Sequence, residues 1–365
     1  MKFGSARRAI HQIMPGFLSG DAVGNQAFRI RELLRAWGYE SQVYAQFRDT
    51  RLSDPGVDYK HYRPSPDNLL IYHHSIGSPI ADFVRGLPDR VVMYYHNITP
   101  AHFLRDVNPG MADLLEQGRR ELDYFRDAPL ALAASDYNRQ ELLALGIHQV
   151  EVLPYFVYLD ELVTSAEQSA GQAVVSKFKS DDWVNILFVG RIVPNKKQDD
   201  LIRAFRYYHQ LVNPLSRLLL VGSDVNAPGY QLQLETMTAA LDLAEVHFVG
   251  PVGLREGLGG YFRAADVFLC LSEHEGFCIP LLEAMRFDVP VMAFNATGVP
   301  YALGGAGIVL NQKRYDVIAE RVDLLARDEV LRRRVIARQR ERLVELAPER
   351  VAEQWGRVVE RLQGQ

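Results

Sequence analysis

At 365 residues the chain is longer than one hydrophobic core usually serves, so two domains are expected. Hydrophobic residues make up 48% and charged residues 24%, the balance of an ordinary soluble globular protein. The formal net charge of −4 excludes a globally basic nucleic-acid binder, and any basic surface must be local. The longest apolar runs, such as Val267 to Leu271, stop far short of the ~20 residues needed to cross a bilayer. Arg7 and Arg8 are followed by no apolar run, so no secretory signal is expected. The two cysteines, Cys270 and Cys278, stand eight apart with His274 between them, which suits neither a disulfide framework nor a zinc site. A reducing cytoplasm is the expected compartment. Asn97-Ile98-Thr99 and Asn295-Ala296-Thr297 match a glycosylation sequon that means nothing without secretion.

Along the chain, short β-branched or aromatic runs alternate with polar turns and helical patterns, which argues for parallel sheets with crossover helices. In the first half the predicted strands are Ala9 to Met14, Gln42 to Gln46, Leu69 to His74, Val91 to Tyr95, Leu130 to Ala134 and Val150 to Leu153. A helix is predicted from Asp21 to Trp37, where Ala27, Ile30, Leu33, Leu34 and Trp37 share one face and Gly38 ends the pattern. The stretch from Glu161 to Asp182 is small, polar and charged, and reads as a linker with one short helix. Strands then resume at Val184 to Val189, Arg217 to Val221, Val246 to Val249, Val267 to Leu271, Val289 to Ala293 and Gly307 to Leu310. The tail from Arg314 is helical, with a break at Pro348. No internal repeat is apparent, so a solenoid is not expected.

The segment Ser272-Glu273-His274-Glu275-Gly276-Phe277-Cys278-Ile279-Pro280 leaves a buried-looking strand and enters a helix at Pro280. Ligands of open α/β sheets bind at the carboxyl ends of strands. Gly276 permits close backbone approach, and the N–H groups of Gly276, Phe277 and Cys278 precede the positive end of the helix, a ready anion site. Glu275 and Glu283 can point into one cleft, where acceptor-only carboxylates suit sugar hydroxyls. As a lone pair they would equally be a loop carboxylate and a helix-start surface residue. Upstream, Leu187-Phe188-Val189-Gly190-Arg191 followed by Lys196 is a strand, a tight glycine turn and two cations five apart. It lacks the second glycine and the trailing Ser or Thr of a P-loop, and alone it could be a solvated turn.

Taken together, these segments resemble the family-4 retaining glycosyltransferases. The family pattern Ser-x-x-Glu-Gly-Phe-x-x-Pro-x-x-Glu-Ala-Met is matched at Ser272, Glu275, Gly276, Phe277, Pro280, Glu283, Ala284 and Met285. Gly190, Arg191 and Lys196 match its Gly-Arg-x-x-x-x-Lys element, in which Arg and Lys hold the donor diphosphate. Gly222 ends the following strand at the expected place, and Phe248 to Val252 resembles the loop whose main chain meets the nucleobase. Gly298-Val299-Pro300 resembles the loop after the second Glu, with Tyr301 where the family often has Glu. Ser19 to Asn25, with Gly20 and Gly24, is similar to the loop that approaches the donor phosphates, although it is no dinucleotide fingerprint. His96, with His74 second, matches the histidine that faces the donor sugar from the N-terminal domain, and histidines at strand ends are also often satisfied structural groups. Ser135 resembles a helix-starting segment and is expected to cap it.

The resemblance implies an α/β GT-B architecture, two Rossmann-like α/β/α domains with parallel sheets facing across a cleft. The expected divisions are an acceptor-side domain over 1–156, a linker over 157–182, a donor-nucleotide domain over 183–345, and a C-terminal helix over 346–365 crossing back to the first domain. The implied activity is retaining transfer of a hexose-type sugar from a UDP- or GDP-sugar to a glycan, lipid-linked or small-molecule acceptor. No metal and no cofactor are implied beyond the sugar nucleotide itself, and no Asp-x-Asp metal motif is present. Arg191, Lys196, Glu275 and His96 are the implied catalytic residues. Gly20, Gly24, Gly190, Gly222, Val252, Gly276, Phe277, Cys278 and Glu283 are the implied donor contacts. Lipid-linked acceptors would bring the protein from the cytoplasm to the inner face of a membrane, and Arg29, Arg31 and Arg35 could meet anionic lipid or be a solvated face. A GT-B phosphorylase or epimerase, and a non-catalytic sugar-nucleotide binder, are the competing readings. No motif for a phosphorylase's inorganic phosphate or lysine-bound cofactor is present.

Overall fold

The computed structural model describes residues 9–18 and 20–364; Arg7, Arg8 and Ser19 lie outside the described residues. The chain divides into two compact units. The first comprises the described residues up to Ala101, Ala112–Phe156 and the segment from Glu349; the second comprises His102–Met111 and Val157–Pro348.

The first unit contains β1 Ile10–Phe17, α1 Ala22–Ala36, β2 Val43–Arg48, β3 Val57–Asp58, β4 Leu69–His74, α2 Pro79–Arg85, β5 Arg90–Tyr95, α3 Pro109–Glu121 from Ala112 onward, β6 Ala131–Ala133, α4 Asp136–Ala144 and β7 Val150–Val152. Its seven strands form one sheet in the order β3-β2-β1-β4-β5-β6-β7, every pair parallel. All six residues of β4 are buried, as expected where helices cover both faces of a parallel sheet. β1 runs three residues beyond the predicted end at Met14, through Pro15. It pairs with β4 only over Ile10–Ile13, so one side of the strand is already without a partner where Pro15 lacks its N–H. Ser135 caps α4 by accepting from Asn138 N at 3.3 Å, as its sequence context predicts.

The second unit contains α5 Asp160–Glu167, α6 Ser169–Phe178, β8 Val184–Val189, α7 Gln198–Tyr207, β9 Ser216–Val221, α8 Tyr230–Ala240, β10 Val246–Gly250, α9 Leu258–Ala264, β11 Val267–Cys270, α10 Ile279–Arg286, β12 Val291–Phe294, α11 Val299–Leu303, β13 Ile308–Leu310, α12 Tyr315–Arg327 and α13 Glu329–Glu345. The last helix, α14 Pro348–Gly364, joins the first unit from Glu349 onward, where its fully buried Trp355 meets Tyr94 edge-on with ring centroids 5.8 Å apart. The six-stranded sheet runs β10-β9-β8-β11-β12-β13, all parallel. The chain therefore winds outward one way from β8 and then reverses at β11. Between those two strands lies the switch point, where the loops after β8 and β11 diverge and leave a crevice.

The region read as a linker is corrected by the structure: it forms α5 and α6, packed on α9. Small residues on both sides permit the packing, Ala166, Ala170 and Gly171 of this region against the glycines at the start of α9. A Cβ on Gly259 would lie 2.1 Å from Leu162 O, one on Gly260 2.4 Å from Gly171 O, and one on Gly257 2.7 Å from the Ala170 carbonyl carbon. Ser165 Oγ accepts from Gly259 N at 3.2 Å across the same contact. A composition that resembles a flexible connector is here the requirement for close backbone approach.

Candidate functional site in the second unit

The carboxyl edge of the second sheet is stripped of side chains where three neighbouring strands end. Gly190 follows β8, Gly222 follows β9, and Gly250 closes β10. Gly190 N donates to Val221 O and Gly222 N to Gly250 O, both at 2.9 Å, so the strands stay paired to their last residues. A Cβ on Gly222 would fall 1.8 Å from Gly190 O, so only glycine fits there. Val252, two residues beyond the positive-φ Gly250, is half-buried at the same end of the sheet.

Arg191 leaves this edge exposed, and its guanidinium has no hydrogen bond or ion pair to the described residues. Lys196 behaves differently. It ends a short 3-10 turn, Pro194–Lys196, and its ammonium pairs with Glu275 Oε2 at 2.5 Å, with both side chains largely buried. Lys197 adopts a left-handed conformation at φ 55° and turns away to Asp199. The two loops at the switch point are tied by a residue that the sequence reading overlooked. Buried Asn195 donates from Nδ2 to His274 O at 3.1 Å and accepts at its own carbonyl from Glu273 N at 2.9 Å.

The backbone of Glu275 is fixed from the other side by Thr297. Its Oγ1 accepts from Glu275 N at 2.7 Å and donates to Glu275 O at 2.8 Å. Gly298 N adds a third bond to Glu275 O at 3.0 Å, and a Cβ on Gly298 would lie 2.3 Å from Gly276 O. Thr297 holds this clamp from φ 47°, an uncommon conformation for a β-branched residue and a mark of a constrained site. The Asn295-Ala296-Thr297 triplet thus serves as a clamp on the candidate catalytic loop. Phe277 is buried, with its ring edge-on to Tyr301 at 5.9 Å, so its side chain props the loop from beneath.

Glu283 sits in α10, about one turn beyond the Glu275 loop. It is partly open to solvent and has no hydrogen-bond or ion-pair partner among the described residues. Desolvation by the surrounding protein pushes its carboxyl up to about 7. An acceptor with no donor is the complement of a ligand that brings hydroxyls.

The cysteines are closer than their spacing suggested. Cys278 caps α10 in a left-handed conformation at φ 76°, which turns its side chain back toward the end of β11. One ligand atom each from Cys270, Glu275 and Cys278, all buried, lies within 4.8 Å of the others. Their linear spacing did not suggest this grouping, because the left-handed residue at Cys278 reverses the chain in a way that spacing does not reveal.

In the first unit, Gly20 is exposed at φ 77°, and buried Gly24 passes so near Leu18 that a Cβ would lie 2.6 Å from its carbonyl oxygen. The side chain of Asp21 already accepts from Gly24 N at 3.0 Å, capping α1 with a carboxylate. His96 is buried with both ring nitrogens engaged. Tyr155 OH lies 2.8 Å from His96 Nδ1, His96 Nε2 lies 2.8 Å from His73 Nδ1, and His73 Nε2 lies 2.8 Å from Gln12 Oε1. One tautomer assignment satisfies the whole chain: each neutral ring accepts at Nδ1 and donates from Nε2. Burial lowers His73 to about 3 and His96 well below its ordinary value, consistent with neutral rings. His74 is likewise held, between Tyr72 OH and Gly118 O at 2.9 Å each. Neither histidine offers a ring nitrogen without a partner.

Arg31 was grouped with Arg29 and Arg35 as a possible lipid-facing cluster, and the structure corrects this. Arg31 is fully buried, 3.1 Å from Asp54 and over the rings of Phe17 and Phe28. Arg35 is bonded to Ser41 O and Asp54. Among the described residues no helix is long and apolar enough to cross a membrane.

A Rossmann-like sheet with glycine-edged strands and charged loops at its switch point defines the class: a doubly wound α/β unit, here paired in one chain with a second parallel-sheet unit. Residues 173–342 match the profile of the family Glycosyl transferases group 1. O-antigen chain mannosyltransferase B of Escherichia coli is 26% identical over 313 residues, covering 83% of this chain and 75% of that one. A D-inositol 3-phosphate glycosyltransferase of Kineococcus radiotolerans is 31% identical over 185 residues, covering 48% of this chain but only 42% of its own length. Among solved structures, the Anabaena protein HepE in complex with UDP-glucose superposes with a TM-score of 0.71 at 16% identity, over 96% of this chain and 99% of that one. The fold is GT-B.

Proposed function

We propose that the protein is a retaining glycosyltransferase that moves a hexose-type sugar from a UDP- or GDP-sugar to a glycan, lipid-linked or small-molecule acceptor, with no metal required. The second unit is the donor side and the first the acceptor side, with peripheral membrane contact if the acceptor is lipid-linked. The observation that carries this reading is the pair of charged groups without partners among the described residues, an exposed Arg191 and a desolvated, half-open Glu283. One suits a phosphate and the other a hydroxyl pair.

In this mechanism the donor diphosphate lies over the glycine edge, with Arg191 on its oxygens and the ribose hydroxyls donating to Glu283. Lys196 shares its charge between Glu275 and the phosphate. When the bond from the anomeric carbon to the phosphate oxygen breaks, its electron pair passes to that oxygen. Arg191 and Lys196 stabilise the growing charge more than they stabilise the intact donor, which is the requirement for acceleration. Glu275, held by Thr297 and Gly298, faces the sugar as its positive charge develops. His96 would join only by releasing Tyr155 or His73, and a sugar hydroxyl is a chemically equivalent replacement for the tyrosine.

The test is release of nucleoside diphosphate from a panel of sugar nucleotides, with and without acceptor. Arg191→Ala should slow turnover by roughly 10²–10³, the scale of losing one transition-state charge stabiliser. A wild-type protein that binds donors and never releases free diphosphate would be a non-catalytic binder. Near-normal turnover by folded Arg191→Ala would remove that residue from the mechanism.

A further inference from the structure

Cys270, Glu275 and Cys278 form a second chemical feature in the same loop, one that sugar transfer does not require. Cys270 ends β11, Cys278 caps α10, and Glu275 stands in the loop between them. All three are buried, with their ligand atoms mutually within 4.8 Å. A tetrahedral zinc ion with Zn–S near 2.3 Å and Zn–O near 2.1 Å holds its ligand atoms roughly 3.5–3.8 Å apart, so closure needs a shift of about 1 Å. Ligand type points the same way: two thiolates and one carboxylate select a thiophilic ion over magnesium or calcium.

We propose that Cys270, Cys278 and Glu275 bind a thiophilic divalent cation, zinc being the natural candidate, in a three-ligand site with its fourth position open. Neither cysteine is in a disulfide. Binding replaces two S–H bonds by two metal–thiolate bonds and releases two protons. The charges then sum to −1, two thiolates and a carboxylate against the dication, and Lys196 beside Glu275 supplies the balancing positive charge. A carboxylate has two oxygens, so Glu275 can keep Lys196 on Oε2 while the other oxygen ligates the metal, the arrangement by which outer groups commonly orient a ligand. The consequence rests on the reading of Glu275 as the sugar-facing carboxylate: with the metal in place, that group is withdrawn from the donor. Occupation is therefore inhibitory.

The experiment uses the full chain, treated with chelator and kept reduced by a phosphine, titrated with cadmium and followed through the ultraviolet thiolate-to-cadmium charge-transfer band. Saturation at one equivalent is expected, with proton release in weakly buffered solution and displacement of the band by zinc. Cys270→Ser and Cys278→Ala should each abolish the one-equivalent end point, and circular dichroism identifies a variant that has lost its fold. With zinc held at one equivalent, so that none is free to bind nucleotide, sugar-nucleotide affinity should fall about tenfold or more, as when a charged acceptor is lost. Affinity for the free nucleoside diphosphate should be nearly unchanged. Absence of a thiolate band, in protein whose two thiols both react after unfolding, overturns the site. A band with no effect on sugar-nucleotide affinity overturns the inhibition and leaves the metal site standing. Failure of the transferase reading would instead appear as absent donor binding without metal.

Discussion

Glu283 shows how a residue prepared for a ligand burdens the protein that carries it. Its ordinary carboxylate value lies near 4.5, and burial pushes it up to about 7. Below the ordinary value the group is protonated in both folded and unfolded chains and costs nothing. As pH rises from there through about 7, the unfolded chain sheds its proton more readily, so this group lowers stability until both forms are charged. At 1.36 kcal/mol per unit, the loss is up to about 3 kcal/mol at pH 8. Glu283→Gln should therefore be less sensitive to pH between 5 and 8 in denaturant unfolding, and more stable than the parent at the upper end. Parallel stability curves for the two proteins would show that the carboxylate is not strained. Family resemblance made Glu275 and Glu283 legible by type and spacing. It could not show that one is paired with Lys196 and the other has no partner among the described residues, because both depend on which groups the folded backbone brings alongside. His96 illustrates the same limit: strand-end placement was readable, the four-membered relay through His73 was not.

At the level of elements, the long buried strands were legible because they leave apolar runs, whereas β3, two residues at a sheet edge, leaves no pattern. Where α5 and α6 lie, the sequence suggested only a linker with one short helix, because the small residues that let them approach α9 are the ones that connectors use. The loop between β11 and α10 depends on α11, whose leading residues clamp Glu275. Thr297→Val keeps the β-branched shape and removes the hydroxyl, leaving Glu275 N–H without its acceptor. The cost should be about 1–3 kcal/mol, the penalty for stranding a buried donor. Sugar transfer should fall with it, while binding of free nucleoside diphosphate, anchored elsewhere, should hold. Transfer at the parental rate in folded Thr297→Val would mean that the Glu275 loop needs no clamp.

For the whole molecule, the division of labour between the units follows from what each sheet presents at its carboxyl edge. The second offers glycines, and a cation and a carboxylate that have no partner among the described residues; the first offers buried histidines already satisfied and a helix start already capped by Asp21. The central claim is that the nucleotide is held by the second unit alone, through Arg191 and Glu283, with Glu275 reserved for the sugar. Calorimetry of free UDP and GDP against the parent, Glu283→Ala and Glu275→Gln tests it directly. One nucleotide should bind, Glu283→Ala should weaken it by roughly ten- to a hundredfold, the scale of a charged-acceptor bond, and Glu275→Gln should bind it no more weakly than the parent. Equal weakening by both substitutions, or none by Glu283→Ala, would contradict the account.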